Sequence, residues 1–238
     1  MTLQEYIASL RGRTVAVIGI GVSNTPLLRL LLREGIAVTA CDRSDRAKLG
    51  ALAEELEAAG AVLRLGDGYL QNLSQDVIFR TPGLRPDVPE LEAARAGGSV
   101  ITSEMEVFFQ VCPCKTIAVT GSDGKTTTTT LIAEMLKNAG YTVHLGGNIG
   151  KPLLSEAGSM SPDDIAVLEL SSFQLMTLSA SPDIAVFTNL SPNHLDIHKS
   201  MEEYALAKEN IFSHQGENDL AIFNRDNDLT HAMVCRAP

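Results

Sequence analysis

No apolar run in the 238 residues approaches the roughly 18 needed to cross a bilayer, so membrane insertion is not expected. Residues 1–13 carry no apolar segment with a small-residue cleavage site, and no secretory signal is expected there. Basic residues are scarce and scattered. Lys and Arg number 19 against 29 Asp and Glu, for a net charge of −10. Non-specific nucleic-acid binding needs clustered cations to neutralise phosphates, so nucleic acid is not an expected partner. Any phosphate must be held locally, by backbone amides and a few cations. Cysteines are few: Cys41, Cys112, Cys114 and Cys235. Cys112-Pro-Cys114 lacks the two-residue gap of a redox or zinc pair. The expectation is free thiols in a reducing, cytoplasmic setting.

Strand-like and helix-like runs alternate from end to end. Residues 14–18 form a continuous apolar run of the kind found in a strand buried on both faces. Ser23-Asn24-Thr25-Pro26 reads as a helix start with a capping side chain, and Gly35 stops that helix. Further strands are expected at 36–41, 61–65 and 76–79, with a charged helix over 47–59 closed by Gly60. Near 111–115 the pattern restarts. Residues 116–120 are a fresh buried strand, followed by a Gly-rich turn and a helix reaching Asn138. Three later strands, 164–168, 183–187 and 219–223, each open on an aspartate. The spacings between these three differ, so the pattern reads as shared strand chemistry and not as a repeat. Such alternation predicts parallel sheets with helices on both faces. Two domains are expected, 1–112 and 113–238, the second about half the size expected of a nucleotide-binding unit.

Gly121-Ser122-Asp123-Gly124-Lys125-Thr126-Thr127 lies between an apolar strand and a helix. That is the context of a phosphate loop, where glycines let backbone N–H groups face the anion and the helix N-terminus adds partial positive charge. Lys125 would reach the terminal phosphates and the Thr126 hydroxyl would ligate Mg²⁺. Val119 stands where the strict pattern wants a glycine, so the loop is a shortened variant. Glu169 and His194 follow later strands. In an open parallel sheet ligands bind beyond the carboxyl ends of the strands, so Thr126, Glu169 and His194 are candidates for one metal shell.

Gly19-Ile20-Gly21-Val22-Ser23-Asn24 follows the first strand, and Asp42 ends the second at about the spacing of a ribose-binding acid. Asn24 replaces the third glycine of a dinucleotide fingerprint. Thr81-Pro82-Gly83 falls on the same predicted edge. A phosphorylated nucleoside is expected there, with NAD left as an alternative.

Thr120-Gly-Ser-Asp-Gly-Lys-Thr-Thr127 resembles the ATP loop of the muramyl ligases and folylpolyglutamate synthases. Gly146-Gly-Asn-Ile-Gly150, Glu169-Leu-Ser-Ser-Phe-Gln174, Asn189-Leu-Ser-Pro-Asn-His-Leu-Asp196 and Tyr204-Ala-Leu-Ala-Lys208 are similar to further muramyl ligase segments. The resemblance covers almost the whole chain. It implies a Rossmann-like domain that binds the UDP of the substrate, then a P-loop-type ATP-binding α/β domain that is incomplete here, with a third domain absent. It assigns Val22, Ser23, Asp42, Arg43 and Gly83 to the UDP side. It assigns Asn148, Ser171, Gln174 and His194 to the channel for ATP and the muramoyl substrate. Asn193 stands where the family has Asp before the motif histidine.

The form of the Glu169–Gln174 segment is that of members adding D-glutamate to UDP-N-acetylmuramoyl-L-alanine in peptidoglycan precursor synthesis. The resemblance implies an acyl phosphate made from ATP, with two Mg²⁺ ions. Thr126 and Glu169 would hold one, and His194 would help hold the second. It also implies a carbamate on Lys208, a lysine that would otherwise read as a solvated helix residue. Three alternatives stay open at this point: a sister ligase with another amino acid, an NAD(P)-dependent oxidoreductase, and a non-catalytic nucleotide-binding module.

Overall fold

The computed structural model describes residues 1–193 and 197–237, and the chain folds as two compact units, Met1–Val111 and Cys112–Pro238. Each is a five-stranded, wholly parallel α/β unit.

In the first unit the strands are β1 (Val15–Ile18), β2 (Val38–Asp42), β3 (Val62–Leu65), β4 (Val77–Phe79) and β5 (Val100–Thr102). Their order across the sheet is β3-β2-β1-β4-β5. β1 and β4 are buried at every position, whereas β3 at the edge is not. That gradient is what covering both faces of a parallel sheet requires of its central strands. The chain leaves β1 first toward β2 and returns to its other side for β4, so the crevice beyond β1 and β4 is a topological switch point.

The second unit holds β6 (Lys115–Thr120), β7 (Val143–Gly147), β8 (Ile165–Glu169), β9 (Ile184–Phe187) and β10 (Leu220–Phe223), in the order β10-β9-β6-β8-β7. β6 and β8 are the buried centre. The helix Lys125–Asn138 packs Ile132, Ala133 and Leu136 against Ile117, Ile165 and Val167. The next strand after that helix is β7, two places away, so β6 again sits at a switch point, flanked by β8 and β9.

The same device sets the register of a central pair in both units. Asp76, just before β4, accepts from the Thr14 amide and hydroxyl at 2.7 Å each, and its own amide donates to Thr14 Oγ1 at 3.0 Å. Asp183, just before β9, does the same with Thr116, at 2.7, 2.7 and 3.1 Å. The aspartates that open β8 and β10 also close their turns. Asp164 Oδ2 takes the Ser161 amide and the His144 ring, and Asp219 Oδ2 takes the Gly216 amide.

Several local expectations need correction. The helix expected over 47–59 is two helices, Arg46–Leu49 and Ala51–Ala58, because Gly50 adopts φ 53°, ψ −131° between them. Asn24 stands at the N-cap of the helix Thr25–Arg33 but its side chain does not cap it; Nδ2 donates instead to the Ile18 carbonyl at 2.9 Å. β5 and β7 were not expected as strands. The helix that carries Lys208 runs over Met201–Glu209 and gives way to turns. No helix among the described residues is long and apolar enough to cross a membrane. The four cysteines are free thiols; burial pushes Cys112 up to about 12.

Thr116→Val keeps the shape of the side chain and deletes its hydroxyl, so the Asp183 clasp loses two of its three bonds and keeps only the one from the Thr116 amide. It should lower the stability of the chain by about 1 kcal/mol, read as a shift in the urea midpoint. An unchanged midpoint would show that the clasp is incidental.

Candidate functional site

The residues singled out in the first unit stand at the carboxyl ends of neighbouring strands. The turn after β1 carries Val22, 80% exposed, and the exposed Ser23. Asp42 ends β2. Its Oδ2 accepts from the Ile20 amide and Oδ1 from the Ser44 amide, both at 2.6 Å. The carboxylate therefore shapes the Gly-rich turn. Arg43 is exposed beside it. After β4, the buried Arg80 donates Nη1 to the carbonyls of Thr81, Pro82 and Leu84, which fixes the turn that presents Gly83. Sequence reasoning passed over Arg80, because an arginine at a strand end ordinarily points to solvent.

In the second unit the loop after β6 is braced from below. Ser122 N donates to the Asn189 carbonyl and Asp123 N to Asn189 Oδ1, at 2.9 and 3.0 Å. Thr188 Oγ1 and Asn189 Nδ2 both donate to the Asp123 carbonyl. The Ser122 hydroxyl accepts from Ser191 N and donates to Ser191 O. Gly124 precedes the helix Lys125–Asn138, which has no side-chain cap. The first amides of that helix, from Lys125, Thr126 and Thr127, are thus the orphan donors of an uncapped helix start, available to an anion. Lys125 Nζ rests on the Ser122 carbonyl at 2.9 Å.

Glu169 ends β8 and is 1% exposed. Its Oε2 accepts from Thr126 Oγ1 and its Oε1 from Asn148 Nδ2, each at 2.7 Å. Asn148 also donates its amide to the Glu169 carbonyl at 2.7 Å. Gly147 makes that approach possible: it has φ 95°, and a Cβ there would run into the Glu169 carbonyl. Two residues on, Ser171 and Gln174 form a capping box at the helix Ser172–Leu175. Gln174 is buried in that box, so its side chain orders Ser171.

Lys125, Asn148, Ser171, Ser172, Phe173, Tyr204 and Lys208 line one cavity of about 160 Å³. The helix Met201–Glu209 supplies the last two. Its N-cap, Ser200, accepts from Glu203 N at 3.1 Å. The Tyr204 hydroxyl is 3.1 Å from Ser122 Oγ. One turn later Lys208 is 1% exposed, and Nζ donates to the Gly121 carbonyl at 2.9 Å and toward Thr120 Oγ1 at 3.3 Å. It lies 4.9 Å from the Tyr204 ring centroid. Burial, with Lys125 nearby as a second cause, pushes the Lys208 amine down to about 7. The solvated lysine that the helix pattern alone suggests is therefore not what the structure shows.

Of the sequence candidates, the structure brings together Lys125, Thr126, Asn148, Glu169, Ser171 and Lys208. His194 lies outside the described residues. Among those described, no three His, Cys, Asp or Glu side chains cluster as a metal centre. The oxygens of Glu169 and Thr126 are nonetheless the hard donors that suit Mg²⁺. Tyr204, Ser172, Phe173 and His198 were not predicted as site residues. Ser172 and Phe173 lie within the Glu169–Gln174 segment and Tyr204 within the segment that ends at Lys208, so these three had a signal and His198 had none.

The fold and this cavity define a parallel α/β unit with its site at the strand ends, and the relatives of the chain give it a family. The Mur ligase middle domain profile matches residues 119–237, and the chain belongs to the Mur ligase family. Over 236 residues it is 54% identical to the UDP-N-acetylmuramoylalanine–D-glutamate ligase of Acetivibrio thermocellus, covering 99% of this chain and 51% of that protein. It is 55% identical over 222 residues to the ligase of the same name from Clostridium botulinum strain Hall, covering 93% and 48%. The chain thus spans about half the length of these curated relatives. The crystal structure of UDP-N-acetylmuramate:L-alanyl-gamma-D-glutamyl-meso-diaminopimelate ligase from Neisseria meningitides superposes with a TM-score of 0.61 at 19% identity, over 94% of this chain and 75% of that one. UDP-N-acetylmuramate-alanine ligase from Thermotoga maritima gives 0.54 at 22%, over 93% and 51%. At such identities the likeness is one of fold.

Because folding lowers the Lys208 pKa from 10.5 to about 7, its burial costs stability wherever the unfolded chain would hold the extra proton. Stability due to this group rises with pH between those two values and is least below about 7. Lys208→Met should therefore stabilise the unliganded chain at pH 6, by an amount on the order of a few kcal/mol. The gain should shrink as the pH approaches 10. Thermal melts of both proteins across that range make the comparison; a pH-independent difference would contradict it.

Proposed function

We propose that this chain is part of an ATP-dependent ligase that joins D-glutamate to UDP-N-acetylmuramoyl-L-alanine, in cytoplasmic synthesis of the peptidoglycan precursor. The observation that carries the reading is the single cavity where Lys125, Asn148, Ser171 and Lys208 meet, with the Glu169 carboxylate held behind Thr126 and Asn148.

A carboxylate is a poor acyl donor, because its leaving group would be oxide. Transfer of the γ-phosphoryl group of ATP to the muramoyl-alanine carboxylate makes an acyl phosphate. The D-glutamate amine then attacks, and the tetrahedral intermediate collapses to amide and phosphate. The protein's part in such transfer is positioning and charge neutralisation. The uncapped amides of Lys125, Thr126 and Thr127 cradle the phosphates. Lys125 Nζ swings from the Ser122 carbonyl to offset the charge on the transferred group. Thr126 and Glu169 would hold Mg²⁺, which would neutralise charge on the phosphate oxygens. His194 and a carbamate on Lys208 would serve a second ion. Burial holds the Lys208 amine down to about 7, which supports that modification, since CO₂ adds to the unprotonated form. Asn148 and Ser171 face the muramoyl side of the channel.

In the first unit Val22, Ser23, Arg43 and Gly83 receive the UDP, with Asp42 and Arg80 ordering the two turns. An NAD site is not favoured, because Asn24 stands where the dinucleotide fingerprint has its third glycine.

Assayed in a chain extended to the length of its relatives, Lys125→Ala should weaken Mg²⁺-ATP binding and lower turnover by about 10²-fold or more. Turnover over a panel of amino acids should single out D-glutamate; preference for another would replace this reading with a sister ligase. Lys208→Ala should lose most activity, and acetate should restore part of it by supplying the missing oxygens. Normal turnover by Lys208→Ala in CO₂-depleted buffer would remove the carbamate from the mechanism.

A further inference from the structure

His198 has no part in the reading above, yet it is 1% exposed and stands directly behind the cavity. Its Nε2 is hydrogen-bonded to Ser172 Oγ at 2.9 Å. Its ring stacks on Phe173, with centroids 5.2 Å apart and planes 9° from parallel. Its edge meets Tyr204 at 5.1 Å and 63°. On the other side, Nδ1 lies 3.6 Å from Glu203 Oε2. Ser172, Phe173 and Tyr204 all line the cavity, and Glu203 and Tyr204 belong to the helix that carries Lys208.

We propose that His198 is a positioning residue: it locks the Ser172–Phe173 corner to the helix Met201–Glu209, and so holds Tyr204 and Lys208 against the phosphate loop. A helix turns by about 100° per residue, so a small rotation would carry both side chains off Ser122 and Gly121. Apolar packing limits how close two elements come but leaves rotation soft. A ring that stacks on one element, meets an edge of the other and is hydrogen-bonded at Nε2 fixes the angle as well as the distance. Aromatic pairs of this kind add to burial, and a buried hydrogen bond is costly to break. The kinetic consequence rests on the ligase reading; the mechanical coupling does not.

Three variants test it. His198→Phe keeps the stack and removes the Nε2 bond, His198→Gln keeps a polar terminus for Ser172, and Ser172→Ala deletes one hydroxyl with little risk to folding. Hydrogen exchange on the 238-residue chain reads the coupling at the Ser122 and Asp123 amides, which bond to Asn189. His198→Phe and Ser172→Ala should speed exchange there by about fivefold or more, while the strand amides of the second unit stay protected. His198→Gln should recover part of the protection. In the chain extended to the length of its relatives, kcat should fall about tenfold in His198→Phe, with the KM for ATP changed by no more than about twofold. Wild-type exchange at those two amides in every variant, or loosening confined to residues 172–175, would overturn the proposal. Absence of ligase turnover in the wild-type protein would count against the ligase reading alone, and the exchange result would still decide the coupling.

Discussion

A carboxyl group taken out of water must have its oxygens met by donors, or its burial costs stability. Glu169 is almost wholly buried at the end of β8, and its two oxygens are met by Thr126 and Asn148. Those donors come from different segments, the first turn of the helix after β6 and the end of β7. A third bond, from the Asn148 amide to the Glu169 carbonyl, draws the tip of β7 in further. One residue therefore fixes where the loop after β6 ends, where the Gly147–Asn148 corner lies and where the Ser171 turn begins. Lys125 is the neighbour of one donor and Ser171 lies two residues beyond the acid, so the cavity walls follow from this one carboxylate.

The sheet itself prepares that meeting. β6 pairs with β8 on one side and β9 on the other, in a register that puts Val119 opposite Glu169 and Thr120 opposite Phe187. The Thr116–Asp183 clasp holds β6 and β9 at their amino ends. At their carboxyl ends Thr188 and Asn189 then reach back to carry the loop after β6. The rigidity of the loop is thus a property of strand pairing, and the glycines need only permit the path.

Much of this was legible in the residues. Central parallel strands are continuous apolar runs, so β1, β6, β8 and β9 stood out, and Lys125, Thr126 and Glu169 fell at strand ends where ligands bind. β7 was missed because Val143–Gly147 mixes a histidine and two glycines and is only half buried. β5 was missed because it is a short, half-exposed edge strand with only two apolar residues, whereas the equally short β4 is buried throughout. The break at Gly50 competes with an otherwise uniform helical pattern, which periodicity cannot resolve. His198 could not be found at all, since its meaning depends on a serine 26 residues away. Asn24 was misread for a similar reason: the residue type suits a cap, but the Ile18 carbonyl offered a buried partner.

Lys208 shows why tertiary context must decide such cases. On a helix surface a lysine keeps its charge in water at no cost. Here its partners are a carbonyl and a hydroxyl, both neutral, and the nearby Lys125 charge outweighs that of Glu169. A neutral acceptor stabilises an ammonium less than a carboxylate does, and a like charge disfavours it further. The charge state of Lys208 is therefore hostage to whatever fills the cavity. An anion bound at the loop offsets the two amines and favours protonation, whereas a divalent cation there favours the neutral amine or an anionic derivative of it. In the proposed reading both arrive together, as nucleotide and metal. The side chain that best satisfies the site then carries oxygen and negative charge where the chain itself encodes nitrogen.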